Sequence, residues 1–187
     1  LNTTSPVIGF LRALARSLHL EVGGPGVGAV GMCFSGGFAL GMMVDDRMLA
    51  PVLSQPSLPL VLPWRKHAAG DLHLDAAGLA RVKERAADGV CVLGLRFPGD
   101  PLCPGGRFAR LRAELGDAFI GVEIDSSPGN PHGIPKLAHS VLTEHLVDEP
   151  GHPTQAALSQ VLDFFRERLV TARARSRRGE REKRAPP

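Results

Sequence analysis

Residues 27–43 read "VGAVGMCFSGGFALGMM", and the fold turns on how that stretch is taken. Val27 to Met32 is a short apolar, β-branched run with the makeup of a buried strand. A cysteine follows at position 33, small residues crowd around it, and "GGFALGMMVDD" (36–46) has the makeup of a helix. A strand that passes within a few residues into a helix is one β–α step, and repeats of that step build a parallel sheet.

The step repeats. "MLAPVLSQPSL" (48–58), "VCVLGLRF" (90–97) and "AFIGVEIDS" (118–126) are further strand candidates. Between and after them, "AAGLARVKERAADG" (76–89) and "GGRFARLRAELGD" (105–117) are helical, the first with Asp75 as cap and Gly89 as stop. "TQAALSQVLDFFRERLVTARA" (154–174) is an amphipathic helix with Leu158, Val161, Leu162, Phe165 and Leu169 on one face. Upstream, "SPVIGFLRALARSLHL" (5–20) sets Val7, Ile8, Leu11, Leu14, Ala15 and Leu18 at helical spacing, with Ser5 as cap and Pro6 in the first turn. The expectation is an α/β fold: about four mostly parallel strands with helices on both faces. Residues 59–78, rich in proline and holding Trp64, His67 and His73, read as an excursion from it.

The bulk numbers fit one domain. The chain has 187 residues, 43% hydrophobic and 22% charged, and no apolar run near the ~20 residues of a membrane span. Its net charge of +3 is misleading, because residues 171–187 hold seven basic and two acidic side chains while the remainder is slightly acidic. The division is therefore a folded domain at 1–170 and a basic, disordered tail at 171–187. No aromatic is interleaved with the tail arginines and no nucleic-acid motif accompanies them, which argues against a nucleic-acid partner. Three cysteines without paired spacing suit a reducing compartment, and with no signal-peptide layout at the start the expected location is the cytoplasm. No metal-ligand spacing occurs, and "GGPGVGAVG" precedes its strand instead of following it, so neither a metal nor a nucleotide cofactor is expected.

In a parallel sheet, chemistry gathers beyond the carboxyl ends of the strands. The residues arriving there are Cys33 after the first strand, Ser54 and Gln55 after the second, Asp100 after the third, and His132 and His139 after the fourth. Gly31-Met32-Cys33-Phe34-Ser35 has the small-x-nucleophile-x-small spacing of a nucleophile elbow. The small flanks leave room for a sharp turn, the helix start behind it favours a thiolate, and the Phe34 N–H is placed to supply half of an oxyanion hole. Cys33 is the candidate nucleophile and Asp100 the candidate orienting acid. His132 and His139 compete for the base, with His139 preferred. Cys91 reads as a core residue, and His145 and His152 as loop residues.

"GAVGMCFSGGFAL", "GLRFPGDPLCP" and "AHSVL" ahead of "VLDFFRERL" together resemble the dienelactone hydrolase family of α/β-hydrolases, over roughly residues 27–169. That resemblance implies an α/β-hydrolase-like fold and a Cys-His-Asp hydrolase of carboxylic esters or lactones, working through a thioester acyl-enzyme on a small-molecule substrate. Ser35 stands where the family usually has glycine, Cys103 where it usually has valine, and Thr143 where an anion-binding arginine is expected, which speaks against an acidic dienelactone. The family's sheet has eight strands with the elbow on the fifth, so the chain, which starts at Leu1, is expected to be the C-terminal part of such a fold. The elbow strand then becomes an exposed sheet edge. From this follows the alternative expectation: a catalytically weak or inert fragment that binds a partner or forms a homo-oligomer through that edge.

Overall fold

A computed structural model describes residues 5–60 and 69–171 of the chain; Trp64, His67 and the arginines of the tail lie outside the described residues. Helix α1 (Pro6–Val22) leads into β1 (Val27–Met32), a single 3-10 turn (Cys33–Ser35), α2 (Gly36–Met42) and β2 (Met48–Ser54). Then come α3 (Ala76–Ala87), β3 (Val92–Arg96), α4 (Gly105–Leu115), β4 (Phe119–Glu123) and α5 (Pro153–Phe165), which runs on as a π-helical turn to Thr171. The four strands form one sheet in the order β1-β2-β3-β4, every pair parallel. This is the α/β architecture that the strand-helix alternation predicts.

β2 is buried along almost its whole length, as a strand covered on both faces must be. Pro51 falls one residue before the β2–β3 ladder begins at Val52, where a missing N–H is tolerated. One face of the sheet carries α2, α3 and α4, whose Leu40, Val82, Phe108 and Leu111 pack with Met48, Leu53 and Val92. The other carries α5, whose Ala157, Val161 and Phe164 pack with Ala50, Val52, Leu93 and Leu95. Among the described residues no helix is long and apolar enough to cross a membrane.

Two expected stripes differ in detail. Along α1 only Ile8 is fully buried; Leu11 and Ala15 touch the core, while Val7, Leu14 and Leu18 are exposed. The helix packs on α2 at the rim of the sheet, so one face is covered and the other meets solvent. Its start is closed by backbone, the Ser5 carbonyl accepting from Ile8 N and Gly9 N, and not by the Ser5 side chain. Along α5 the core face is Thr154, Ala157, Val161 and Phe164, with Leu162 turned outward. Asp75 does cap α3, accepting from Gly78 N at 2.7 Å.

The strand ends are level. Met32 pairs with Ser54, Ser54 with Leu95 and Leu95 with Val122, so the segments that follow all four strands leave from one rim. β1 is an outer strand of this sheet, and its Val30 and Met32 are exposed.

Candidate active site

The corner after β1 is tight. Cys33 adopts φ +51°, a left-handed backbone that costs an L-residue of order 1–3 kcal/mol and persists only where the surroundings enforce it. They do so through hydrogen bonds. The Cys33 carbonyl accepts from Gly36 N and from Ser57 N (3.0 Å), and the Ser35 hydroxyl both donates to Met32 O (2.9 Å) and accepts from Met32 N (3.2 Å). Ser35 thus closes the turn with its side chain, a role a glycine there could not fill. At Gly31 a Cβ would run into the Ser35 carbonyl, and at Gly36 it would stand 2.5 Å from Pro56 Cα. Close backbone approach demands glycine at both.

Asp100 follows β3 in the turn "PGD" and is buried, 2% exposed. Its Oδ1 accepts from Leu102 N (2.9 Å) and its Oδ2 meets His139 Nδ1 at 2.7 Å. His139 arrives on a long irregular segment, residues 124–152, between β4 and α5. Ile134, Ala138 and Val141 plug that segment into the α5 side of the core. Ser126 pins it to the acid's turn, accepting from Gly99 N (3.3 Å) and donating to Lys136 O (3.5 Å). His145 closes the turn beyond His139, its Nδ1 accepting from Ser140 N and its ring edge-on to buried Phe97.

The far nitrogen of His139, Nε2, is shielded from solvent and carries no conventional hydrogen bond. It nevertheless lies near enough to Cys33 for each group to shift the other's pKa. At Cys33, burial favours the neutral thiol, but the His139 ring, the Ser57 hydroxyl and the Phe34 N–H outweigh it and hold the pKa below the usual thiol value. At His139, burial disfavours the imidazolium, yet the thiol and the Asp100 carboxylate more than compensate and raise the pKa. The two shifts point the same way, toward a thiolate beside an imidazolium. Cys103 is the contrast: fully buried behind the site, its thiol is pushed up to about 12 by burial.

The structure therefore brings Cys33, Asp100, His139 and the Phe34 N–H to one point on the rim, and leaves His132 away from it. The His132 ring stacks edge-on against His152, centroids 5.2 Å apart, and His152 caps α5 at Thr154 N. Cys91 sits just before β3, half-buried, its thiol turned to Gly89 O. Among the described residues no group of three His, Cys, Asp or Glu side chains gathers as a metal site.

Ser57 is the residue that sequence reasoning missed. It is buried, its N–H donates to Cys33 O, and its Oγ stands 3.6 Å from Cys33 Sγ. Buried Arg107 of α4 fixes the backbone around it, donating to the carbonyls of Pro56, Pro59 (2.8 Å) and Asp71 (3.0 Å). The only signal in the sequence was a hydroxyl just past a strand end.

No protein-family model matches the chain, and no curated protein matches it. Among solved structures, a monoacylglycerol lipase of Paleococcus ferrophilus is similar, at 13% identity, over 87% of this chain and 77% of that one, with a TM-score of 0.49.

Proposed function

We propose that this chain is a cysteine hydrolase of carboxylic esters or lactones, of the dienelactone hydrolase type that its motifs resemble. The observation that carries the reading is the 2.7 Å contact between Asp100 and His139, with Cys33, held in a left-handed backbone, near enough for the ring to lower its pKa. The Cys33 thiolate attacks the acyl carbon, and the Phe34 N–H receives the developing oxyanion. The tetrahedral intermediate collapses as the His139 imidazolium gives its Nε2 proton to the departing alkoxide, leaving a thioester. Neutral His139 then takes a proton from water, hydroxide character attacks the thioester, and the acid leaves as the thiolate is restored. Asp100 holds Nδ1–H throughout, which keeps Nε2 pointed at the chemistry. Exposed Phe34 beside the nucleophile and exposed Leu137 two residues before the base favour an apolar ester group.

p-Nitrophenyl acetate turnover tests this directly. Turnover is expected in the parent and lost in Cys33→Ala, with Cys33 alkylated by iodoacetamide at neutral pH faster than free cysteine, whose pKa is ~8.5. Turnover that survives Cys33→Ala would sink the proposal.

A second reading rests on the outer position of β1, which among the described residues pairs with β2 on one side and exposes Val30 and Met32. A chain that pairs through this edge changes its elution volume with concentration in size-exclusion chromatography. A constant monomeric volume refutes that reading and leaves the first untouched.

A further inference from the structure

We infer that Ser57 is a catalytic residue, the side-chain donor that completes the oxyanion hole of this site. The inference rests on the hydrolase reading above and extends it to a group that none of the motifs includes.

Ser57 is held in place by its neighbours. A lone serine after a strand has no preferred direction, but here Gln55 turns the chain through a left-handed backbone (φ +43°) and donates its N–H to Leu95 O at 2.8 Å. Arg107 then gathers the carbonyls of Pro56, Pro59 and Asp71 around one buried guanidinium. Pro56 is packed against Gly36 so closely that no Cβ fits between them. The result is a hydroxyl, 2% exposed, presented to the Cys33 sulfur at 3.6 Å. A buried hydroxyl requires a partner, and among the described residues the partner at hydrogen-bond reach is the Cys33 sulfur itself.

The Ser57 hydroxyl, from the loop after β2, stands 3.6 Å from Sγ, and the Phe34 N–H of the elbow lies near enough to help lower the thiol's pKa. When Sγ bonds to an acyl carbon, the carbonyl π pair moves onto oxygen, and that oxygen lies two bonds from the sulfur. Negative charge leaves the sulfur and appears on an atom beside it. A fixed N–H and a hydroxyl free to rotate about its C–O bond can follow that displacement without moving the backbone. Ser57 keeps its proton throughout; the leaving alkoxide takes its proton from His139. Donors aimed where charge develops stabilise the transition state more than the ground state, which is the condition for raising the rate.

The test compares two reactions of the same sulfur in the full chain. Alkylation by iodoacetamide displaces iodide at a saturated carbon and creates no oxyanion; the acylation burst with p-nitrophenyl acetate creates one. Both are measured at the pH plateau where the thiol is fully ionised, so thiolate stabilisation drops out of the comparison. Ser57→Ala is expected to slow acylation ~10²–10³-fold, the usual effect of deleting one oxyanion donor, while alkylation changes less than about tenfold. Ser57→Thr, which keeps the hydroxyl, is expected to recover most of the acylation rate. Should the alanine variant fail to fold, the isosteric pair Ser57→Thr and Ser57→Val, one with the hydroxyl and one without it, carries the same comparison. Equal losses in both reactions, or no loss in acylation, overturn the role assigned to Ser57. A parent protein that is alkylated but never acylated overturns the hydrolase reading instead, and this inference with it.

Discussion

Replacing Asp100 by asparagine probes the site at its best-defined contact. The substitution is isosteric at a buried position, and the asparagine carbonyl can still accept from Leu102 N, which Asp100 Oδ1 now does at 2.9 Å. What changes is the partner of His139. A carboxylate accepts from Nδ1–H, whereas an amide NH2 at the same place donates and forces Nδ1 to become the acceptor. The neutral ring must then carry its proton on Nε2, facing the sulfur with no lone pair to offer. A hydrogen bond to a charged group is worth about 1.5–3 kcal/mol net, so kcat/KM should fall about 10- to 150-fold through this contact alone. The pH profile supplies the sign. Asp100 raises the His139 pKa, so the alkaline limb of kcat/KM, where the imidazolium is lost, should move to lower pH in Asp100→Asn and narrow the bell. Iodoacetamide alkylation needs only the thiolate and should show no such limb. Full kcat/KM with an unmoved alkaline limb in Asp100→Asn would refute the reasoning.

Two further perturbations address the frame around the site. Gly36→Ala places a Cβ 2.5 Å from Pro56 Cα, so it should cost about 1–3 kcal/mol in urea unfolding and, by displacing Pro56 and Ser57, slow acylation of Cys33 by p-nitrophenyl acetate. Asp45, buried behind α2, accepts from Arg47 N (3.0 Å) and from Arg16, with Arg12 at 3.9 Å. Burial alone would raise its pKa, but the Arg47 N–H and the two guanidinium groups together hold it below the usual carboxylate value. A depressed folded pKa contributes stability that is present above the unfolded value of ~3.9 and is lost as pH falls through the folded one. Asp45→Asn should therefore cost about 1–2 kcal/mol at pH 7, a figure discounted because Arg16 is half exposed, and should flatten the decline in urea midpoint below pH 4.

The strands and helices were legible because their apolar periods are long and their punctuation is clear: Asp75 before α3, "GGPG" before β1. The elbow was legible for a different reason, since only small residues tolerate so sharp a corner. The preference for His139 over His132 came from the motif resemblance alone, because both follow β4 in loop-like sequence and the anchoring of Ile134, Ala138 and Val141 decides which ring reaches Asp100. Ser57 was invisible for the same kind of reason: its direction depends on Arg107, fifty residues further along the chain. The outward half of α1 and the outward Leu162 of α5 show the limit of periodicity. A stripe says which face prefers cover, while the neighbours determine how much it receives.

The proposed base travels separately from the groups it would serve. Cys33 and Asp100 are stitched to strand ends, but His139 hangs from a stretch of twenty-nine residues without helix or strand, held by apolar pegs such as Ile134, Ala138 and Val141, by the Ser126 bridge and by His145 against Phe97. Loosening that strap requires far less than melting the sheet, since local openings draw on fewer buried contacts. Warming should accordingly silence the chemistry while the circular dichroism of the helices is still intact.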